Sequence, residues 1–264
     1  MSLRSKLGSA RRTVLCALYR RPVVLKNREP LVSFTFDDFP RTAYTVGGSI
    51  LERYGAHGTY YAACGLMNTR NQLGEQFRLE DVDALLEEGH ELASHTFSHI
   101  SSRSVSCDNF CDDVKLGNDA VEKLSGIHSG NFAYPFGHVT LATKRSLANS
   151  VTSARSIFPG CNGPEIDLNL LRANSLYGGL EELQRVEELI AENIQRNGWI
   201  IFYTHDVQAQ PSAFGCTPAL FEAAVAHAAH AGCRILPVQE AVEQTGLGLQ
   251  NGNAKGHVRE HASV

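Results

Sequence analysis

Two aspartates and two histidines stand directly after apolar segments that are typical of β-strands. Asp37 and Asp38 come at the end of the β-rich run 31–36, and His95 and His205 each follow another such run. In folds built on parallel strands, the working residues come from the carboxyl ends of the strands. Unrelated surface residues would have no reason to share one rim of a sheet. The placement therefore predicts a functional site at that rim.

A metal site is the chemistry that these residue types suggest. His95 and His99 are four residues apart, and a helical turn after the strand would bring both imidazoles to one side, where they can bind a divalent metal. Two imidazoles and one carboxylate form a common open catalytic set. Successive side chains of a strand alternate in direction, so one of Asp37 and Asp38 can bind the metal while the other acts as a general base. An Asx-turn or a helix N-cap is the structural alternative for the aspartate pair.

The elements that must position these residues alternate between strands and helices. We count about eight candidate strands with no break in composition between them, which predicts a largely parallel sheet and favours a barrel. The length of 264 residues suits one such domain. The clearest predicted strands are 31–36, 58–63, 90–94, 131–134, 199–204 and 233–238, and the predicted helices are 46–54, 79–88, 140–150, 180–197 and 218–231.

Composition excludes several classes of protein. Hydrophobic residues make up 43% of the chain and charged residues 20%, which excludes a disordered chain and a polytopic membrane protein. The net charge of −4 offers no broad basic face, so we expect no nucleic acid partner. The seven cysteines follow no regular spacing and are expected to be free thiols in a reducing compartment.

The two ends of the chain differ from the region between them. Residues 1–27 form a basic segment whose short apolar run 13–19 does not match a signal peptide, so we expect a cytoplasmic protein. Weak contact of this segment with a membrane surface is the alternative. No segment approaches the roughly 20 apolar residues of a membrane span. Residues 28–245 are predicted to form the catalytic domain, and 246–264 a flexible tail.

Four motifs in order resemble those of the NodB-homology polysaccharide deacetylases, carbohydrate esterase family 4. The first is Thr35–Asp38, and the second is Ser94–His99, preceded by Gly-His-Glu. The Phe-Ala-Tyr-Pro-Phe-Gly segment at 132–137 resembles the third motif, and Phe202–Asp206 resembles the fifth. The similarity spans about residues 28–245.

The resemblance implies a fold, a reaction and a set of roles. The fold would be a distorted (β/α) barrel of about seven to eight mostly parallel strands. The reaction would remove N-acetyl groups from a polysaccharide or oligosaccharide that contains N-acetylhexosamine. Asp38, His95 and His99 would bind the divalent metal, which is zinc in most members, with cobalt, nickel or manganese as alternatives. Asp37 would be the base that deprotonates the metal-bound water, and His205 the acid that protonates the departing amine.

The third and fourth motifs are where the sequence departs from the family. The residues implied to bind the substrate and the oxyanion are Tyr134, Pro135 and Phe136, the oxyanion through the backbone N–H of Phe136. Ala133 stands where the family often has an arginine. No segment clearly matches the fourth motif, and Asp167 and Arg172 are the candidates for tuning the site from that stretch.

Two other functions stay open at this point. One is a deformylase or another hydrolase of non-peptide C–N amide bonds on the same fold. The other is a non-catalytic carbohydrate-binding relative, which would be expected to lack at least one of the proposed site residues. The sequence gives no strong signal of an oligomeric state.

Overall fold

Eight parallel strands form the sheet that carries the candidate residues. The computed structural model describes residues 11–128 and 130–246. The strands, in chain order, are β1 Pro22–Val24, β2 Leu31–Asp37, β3 Thr59–Ala62, β4 Arg70–Asn71, β5 Gly74–Glu75, β6 Glu91–Ser94, β7 Asn131–Ala133, β8 Ser153–Arg155, β9 Glu165–Asp167, β10 Asn174–Ser175, β11 Trp199–Thr204 and β12 Arg234–Ile235. The large sheet has the order β10-β11-β2-β3-β6-β7-β8, and β12 pairs with β2. It curls into a half-barrel, so the predicted fold class is confirmed.

The helices pack on both faces of this sheet. They are α1 Ser49–Arg53, α2 Leu79–Glu87, α3 Cys107–Ser125, α4 Leu141–Leu147, α5 Leu183–Arg196, α6 Pro218–His230 and α7 Val238–Glu243. The helices α1 to α6 pack on its outer face, and α7 packs against residues of its interior face. The hydroxyl of Thr217 accepts from the N–H of Leu220 and caps α6, as its sequence predicts. The 19-residue α3 was not predicted from the sequence. It ends at Gly126, which adopts the left-handed conformation that glycine favours at a helix C-terminus.

Side chains of the strands alternate between the helix-covered face and the interior of the half-barrel. In β2, Phe34 and Phe36 pack outward in the largest apolar cluster. Asp37 is the next residue of the strand and belongs to the opposite, interior face. Arg155 ends β8, one residue after Ala154, which packs outward. The alternation therefore aims both Asp37 and Arg155 into the interior.

A buried polar layer lies across the interior face, nearer the amino ends of the strands. Glu91 accepts hydrogen bonds from Thr59 at 2.8 Å and from Asn131 at 2.6 Å, and from the backbone N–H of Gln239 at 2.9 Å. Ser153 in turn donates to Asn131 at 2.7 Å. Burial raises the pKa of the Glu91 carboxyl, while its three donors oppose that shift. The layer links β3, β6, β7 and β8 beneath the candidate site.

The described part of the N-terminal segment packs on this domain. Leu15 is buried, and β1 pairs antiparallel with β9. The fully buried Lys144 donates to the carbonyl of Leu15 at 2.8 Å and to the carboxylate of Asp167 at 2.7 Å. Residues 15–24 are thus fixed to the same folded unit. The predicted tail from 247 onward lies outside the described residues.

Across residues 11–128 and 130–246, none of the helices combines the length and the apolar character needed to cross a bilayer.

The buried His90 side chain is expected to make stability depend on pH. Its Nδ1 accepts from the N–H of Gly58 at 2.9 Å, and burial, with a small contribution from His57, lowers its pKa to about 4. The rings of Tyr44 and Tyr60 also contact it, and a carboxylate oxygen of Glu88 lies 3.8 Å from Nε2. The histidine pKa is about 6.5 in an unfolded chain. Between pH 6.5 and 4 only the unfolded state takes up this proton, so stability falls as the pH falls.

The variant His90→Asn tests this expectation. Asparagine keeps an acceptor for Gly58 but cannot titrate. Urea unfolding at pH 7 and pH 5 should show that the wild type loses about 2 kcal/mol more stability than the variant over this interval. Equal losses in both proteins would show that His90 does not carry the effect. Other groups that titrate in this range contribute to both proteins and cancel in the comparison.

Candidate functional site

The candidate residues meet at the carboxyl ends of β2, β6 and β11. The backbone there is unusual. Five of the eight non-glycine residues with positive φ in the described chain lie around this site: Asp38, Phe39, Thr96, His99 and Phe136. Such conformations cost free energy and cluster at functional sites. Asp38, with a φ of 64°, directly follows the last residue of β2.

Asp38, His95 and His99 bring three ligand atoms to one point. Their nearest ligand atoms all lie within 4.8 Å of one another. Oδ1 of Asp38 lies 2.9 Å from Nε2 of His99 and 3.5 Å from Nε2 of His95. The predicted helical turn between the two histidines is wrong, since residues 95–99 form bends in which Thr96 and His99 are left-handed. The left-handed conformations of Thr96 and His99, rather than a helical turn, bring the two imidazoles together, with ring centroids 5.2 Å apart.

The charges and hydrogen bonds of this triad fit a divalent cation. Nδ1 of His95 is 2.8 Å from the carbonyl of Ala133, which leaves Nε2 toward Asp38. Oδ1 of Asp38 is buried and has no partner aligned for a hydrogen bond. Burial alone would raise the pKa of the Asp38 carboxyl, but the contact with His99 and the neighbouring histidines lower it to about 2. Burial lowers the pKa of His95 to about 4. A charged carboxylate beside a neutral imidazole is the protonation state that metal ligands require.

Asp37 is held by an arginine that the sequence analysis did not find. Nη2 of Arg155 donates to both carboxylate oxygens of Asp37, at 2.5 and 2.6 Å. The Arg155 side chain is fully buried, and the Asp37 side chain is 6% exposed. A signal for Arg155 does exist in the sequence. Ser153, Ala154 and Arg155 alternate polar and apolar residues after the helix predicted for 140–150, which is typical of a short strand.

A cleft of about 250 Å³ opens above the triad and Asp37. Phe136 lies on one side, with its ring centroid 4.5 Å from that of His99, and Tyr177 and Phe214 flank His205. The tip of the β4–β5 hairpin also reaches the cleft. The full lining is Asp37, Asp38, Gln72, Leu73, His95, His99, Phe136, Gly137, Ile157, Tyr177, Tyr203, His205 and Phe214. The hairpin, Tyr177 and Phe214 were not predicted as site residues.

His205 enters the cleft with one ring nitrogen engaged. Its Nδ1 lies 3.1 Å from the carbonyl of Phe214, which favours the tautomer with a proton on Nδ1. The adjacent Asp206 is fully buried and accepts from the N–H of Ser212 and from the side chain of Gln208, both at 2.8 Å. Asp206 therefore stabilises the loop after β11, and a backbone carbonyl orients the His205 ring.

The third-motif residues divide between the cleft and the core. Phe136 lines the cleft, is 55% exposed and has a φ of 58°. The side chain of Tyr134 is buried in an apolar cluster beside Phe110 and Phe132, so the prediction that it binds substrate is wrong for the side chain. Pro135 is buried and does not line the cleft.

Asp167 and Arg172 do not reach this site, so their predicted tuning role is wrong. Asp167 pairs with Lys144, as described above, and Arg172 donates to the carbonyl of Pro159 at 3.0 Å. Both line a separate cavity of about 400 Å³ beside β9 and α5. The charged residues of this segment made it the candidate for the fourth motif. In the structure, however, β9 pairs with β1 and does not join the large sheet.

Comparison with known proteins identifies a family and one curated relative. Residues 25–152 match the family model for polysaccharide deacetylase. A peptidoglycan-N-acetylglucosamine deacetylase of Bacillus cereus is 30% identical over 98 residues, which are 37% of this chain and 42% of that protein. The match thus spans less than half of the length of that relative.

Solved structures with a similar fold cover more of the chain. The chitin deacetylase of Colletotrichum lindemuthianum has a TM-score of 0.59 and 16% identity, over 91% of this chain and 97% of that chain. The Xyl-CE4 domain of a xylanase from the hindgut metagenome of Trinervitermes trinervoides has a TM-score of 0.56 and 19% identity, over 83% and 92%. A family 4 acetyl xylan esterase from Clostridium thermocellum has a TM-score of 0.53 and 19% identity, over 82% and 92%. These likenesses show a shared fold. In the sequence, residues 25–152 match the polysaccharide deacetylase family model, the family that the four motifs resemble.

Proposed function

We propose that this chain is a divalent-metal-dependent N-deacetylase that acts on glycans containing N-acetylhexosamine. One observation carries the proposal. Asp38, His95 and His99 converge on one point, and Asp37 and His205 line the same cleft. The family match and the N-acetylglucosamine named for the Bacillus cereus relative support this substrate class.

The roles of the side chains follow from their surroundings. Asp38, His95 and His99 would hold the cation. A bound divalent cation makes water a better nucleophile near neutral pH and polarises an amide carbonyl. Asp37 accepts the proton of the attacking water. His205 donates a proton to the amine nitrogen as the C–N bond breaks, so that acetate and a free amine leave the site.

Zinc is the metal we propose, because the triad offers two imidazole nitrogens and one carboxylate oxygen. Cobalt, nickel and manganese accept the same donors and are the alternatives. The backbone N–H of Phe136 would donate to the developing oxyanion, a role for which peptide N–H groups at turns are suited.

The rims of the cleft are suited to a sugar chain. The rings of Phe136 and Phe214 are 55% and 51% exposed, although both are large and apolar. Exposed aromatic rings beside a cleft provide flat apolar surfaces against which the faces of pyranose rings can pack. We therefore propose that the two rings contact sugar residues of the substrate.

Metal analysis combined with a screen for acetate release tests the proposed function. The purified chain, loaded with zinc, should release acetate and an equal amount of new amine from at least one of chitooligosaccharides, peptidoglycan fragments and poly-N-acetylglucosamine. Release of formate from N-formylated sugars, without acetate, would favour the other amide hydrolases. Glycan binding by the zinc-loaded chain without any release would favour a carbohydrate-binding relative.

A further inference from the structure

Two arginines from distant parts of the chain lie around the side chain of His138, which follows β7. Nη2 of Arg11, in the N-terminal segment, donates to the carbonyl of Val139 at 3.2 Å. Nδ1 of His138 lies 2.7 Å from the hydroxyl of Ser101, and this hydroxyl accepts from the backbone N–H of Arg103 at 3.1 Å. Arg11, Arg103 and His138 are called the basic cluster below.

The positive charge of the basic cluster is not balanced by nearby acids. Burial, together with the charges of Arg103 and Arg11, lowers the pKa of His138. Burial and the charge of Arg11 lower the pKa of Arg103. Among the described residues, no carboxylate opposes either shift. Two like charges held near each other cost free energy, and an anion bound between them removes this cost. In a chain with a net charge of −4, the cluster is therefore a local site for a negatively charged group.

The basic cluster also retains hydrogen-bond donors that a ligand can use. A guanidinium carries five N–H donors, and the bond of Arg11 to Val139 uses one of them. Both arginines are exposed. The Ser101 hydroxyl can donate its own hydrogen to Nδ1 of His138, which places the ring proton on Nε2. A carboxylate suits these donors, because a guanidinium binds it with two parallel hydrogen bonds.

The basic cluster lies next to the cleft, on the side of Phe136. The ring centroid of Phe136 is 4.5 Å from that of His99 and 5.6 Å from that of His138. Phe136 thus contacts a residue of the metal triad and a residue of the basic cluster. A glycan that places an acetamide at the triad and packs a sugar on Phe136 extends toward the cluster in one of its two directions.

We propose that Arg11, Arg103 and His138 form a subsite for a carboxylate carried by a sugar residue next to the one that loses its acetyl group. Through this subsite the chain prefers acidic glycans over neutral glycans of the same length. The inference rests on the proposed function for the placement of the glycan. Its binding part can be measured without turnover.

The test compares two forms of one oligosaccharide. These are N-acetylchitotetraose and the same tetrasaccharide with its primary hydroxymethyl groups oxidised to carboxylates, which leaves every acetamide unchanged. In 0.15 M NaCl, charges more than about 8 Å apart are largely screened. The kcat/KM of the zinc-loaded chain for acetate release should then be about tenfold higher for the acidic form, the factor expected for one hydrogen bond between charged groups. The gain should appear in KM, because the subsite does not touch the reacting atoms.

Two variants remove or reverse the charge of the subsite. In Arg11→Gln/Arg103→Gln, the ratio of kcat/KM for the acidic form to that for the neutral form should fall to within about twofold of one. In Arg103→Glu the acidic form should become the poorer substrate, since like charges repel. The matched control is Arg53→Gln/Arg196→Gln, which removes two positive charges from exposed ion pairs on α1 and α5. It should keep the wild-type ratio. All four arginines are exposed, so the variants should fold.

Three results would overturn the inference. One is an equal kcat/KM of the wild type for the two forms. Another is a preference for the acidic form that survives in Arg11→Gln/Arg103→Gln, which would mean that the carboxylate binds elsewhere. The third is loss of the preference in Arg53→Gln/Arg196→Gln as well, which would show a general attraction to the charge of the chain rather than a subsite.

Calorimetry separates this inference from the proposed function. The acidic form should bind to the zinc-loaded wild type with a Kd about tenfold lower than that of the neutral form, and this difference should be lost in Arg11→Gln/Arg103→Gln. A wild type that releases no acetate from any substrate would defeat the proposed function, and the comparison of Kd values would still test the subsite. Equal Kd values for the two forms in the wild type would overturn the subsite, even if both forms were deacetylated.

Discussion

Replacing Asp38 with alanine should remove zinc and abolish acetate release together. The substitution deletes the carboxylate that lies between the two imidazoles, 2.9 Å from His99 and 3.5 Å from His95. Loss of even an outer hydrogen-bond partner of a metal ligand typically costs about 10–100-fold in affinity, and loss of a ligand should cost more. His99→Ala should have the same two effects. The measurements are zinc content after dialysis and acetate release at saturating substrate.

A matched control for this variant is Asp119→Ala. Asp119 is exposed on α3, where it pairs with Lys115. The same chemical change there should leave zinc content and acetate release unchanged, because exposed ion pairs contribute little. If Asp38→Ala retained one zinc per chain with full affinity, the triad would not be the metal site.

Replacing Asp37 with asparagine should separate metal binding from turnover. The amide keeps the shape of the side chain but is a much poorer proton acceptor. Loss of a general base typically lowers the rate by about 10²–10⁴-fold. Zinc content should remain at the wild-type level, because Asp37 is not a member of the triad. The measurements are kcat, zinc stoichiometry and the melting temperature of the variant.

The melting temperature matters because Asp37→Asn leaves the buried Arg155 without its carboxylate. Removing one partner of a buried pair is strongly destabilising, so some loss of stability is expected. The double variant Asp37→Asn/Arg155→Met removes both charges. It should regain part of the lost stability but remain inactive. An Asp37→Asn protein that turns over at the wild-type rate would exclude Asp37 as the base.

The sequence predicted the strands of the site well, because each is a distinct apolar run. The prediction for 199–204 agrees with β11, and that for 31–36 falls one residue short of β2, which includes Asp37. The alternating pattern explains why polar residues reach the interior from such apolar segments. The four-residue spacing of His95 and His99 also correctly predicted that their imidazoles lie together, although left-handed residues rather than a helix connect them.

The pairing of Asp37 with Arg155 could not be predicted from spacing. The two residues are 118 positions apart, and only the parallel sheet brings them to one face. The sequence shows an alanine at 133 where the family often has an arginine, but it does not show which residue replaces that arginine. Asp167 and Arg172 were predicted only as candidates for the unmatched fourth motif. Their partners, Lys144 and the Pro159 carbonyl, also follow from packing that no local pattern encodes.

Ala133 of β7 pairs in register with Arg155 of β8, and this side-by-side placement has a consequence for how related chains diverge. If one guanidinium beside Asp37 is sufficient, either strand can supply it, and the two positions will be inherited as an exchangeable pair. An arginine at one position should then accompany a small residue at the other across relatives. A search that scored the third motif alone would dismiss such chains as having lost their activity. Scoring both strands jointly would retain them as enzymes whose arginine has moved by one strand.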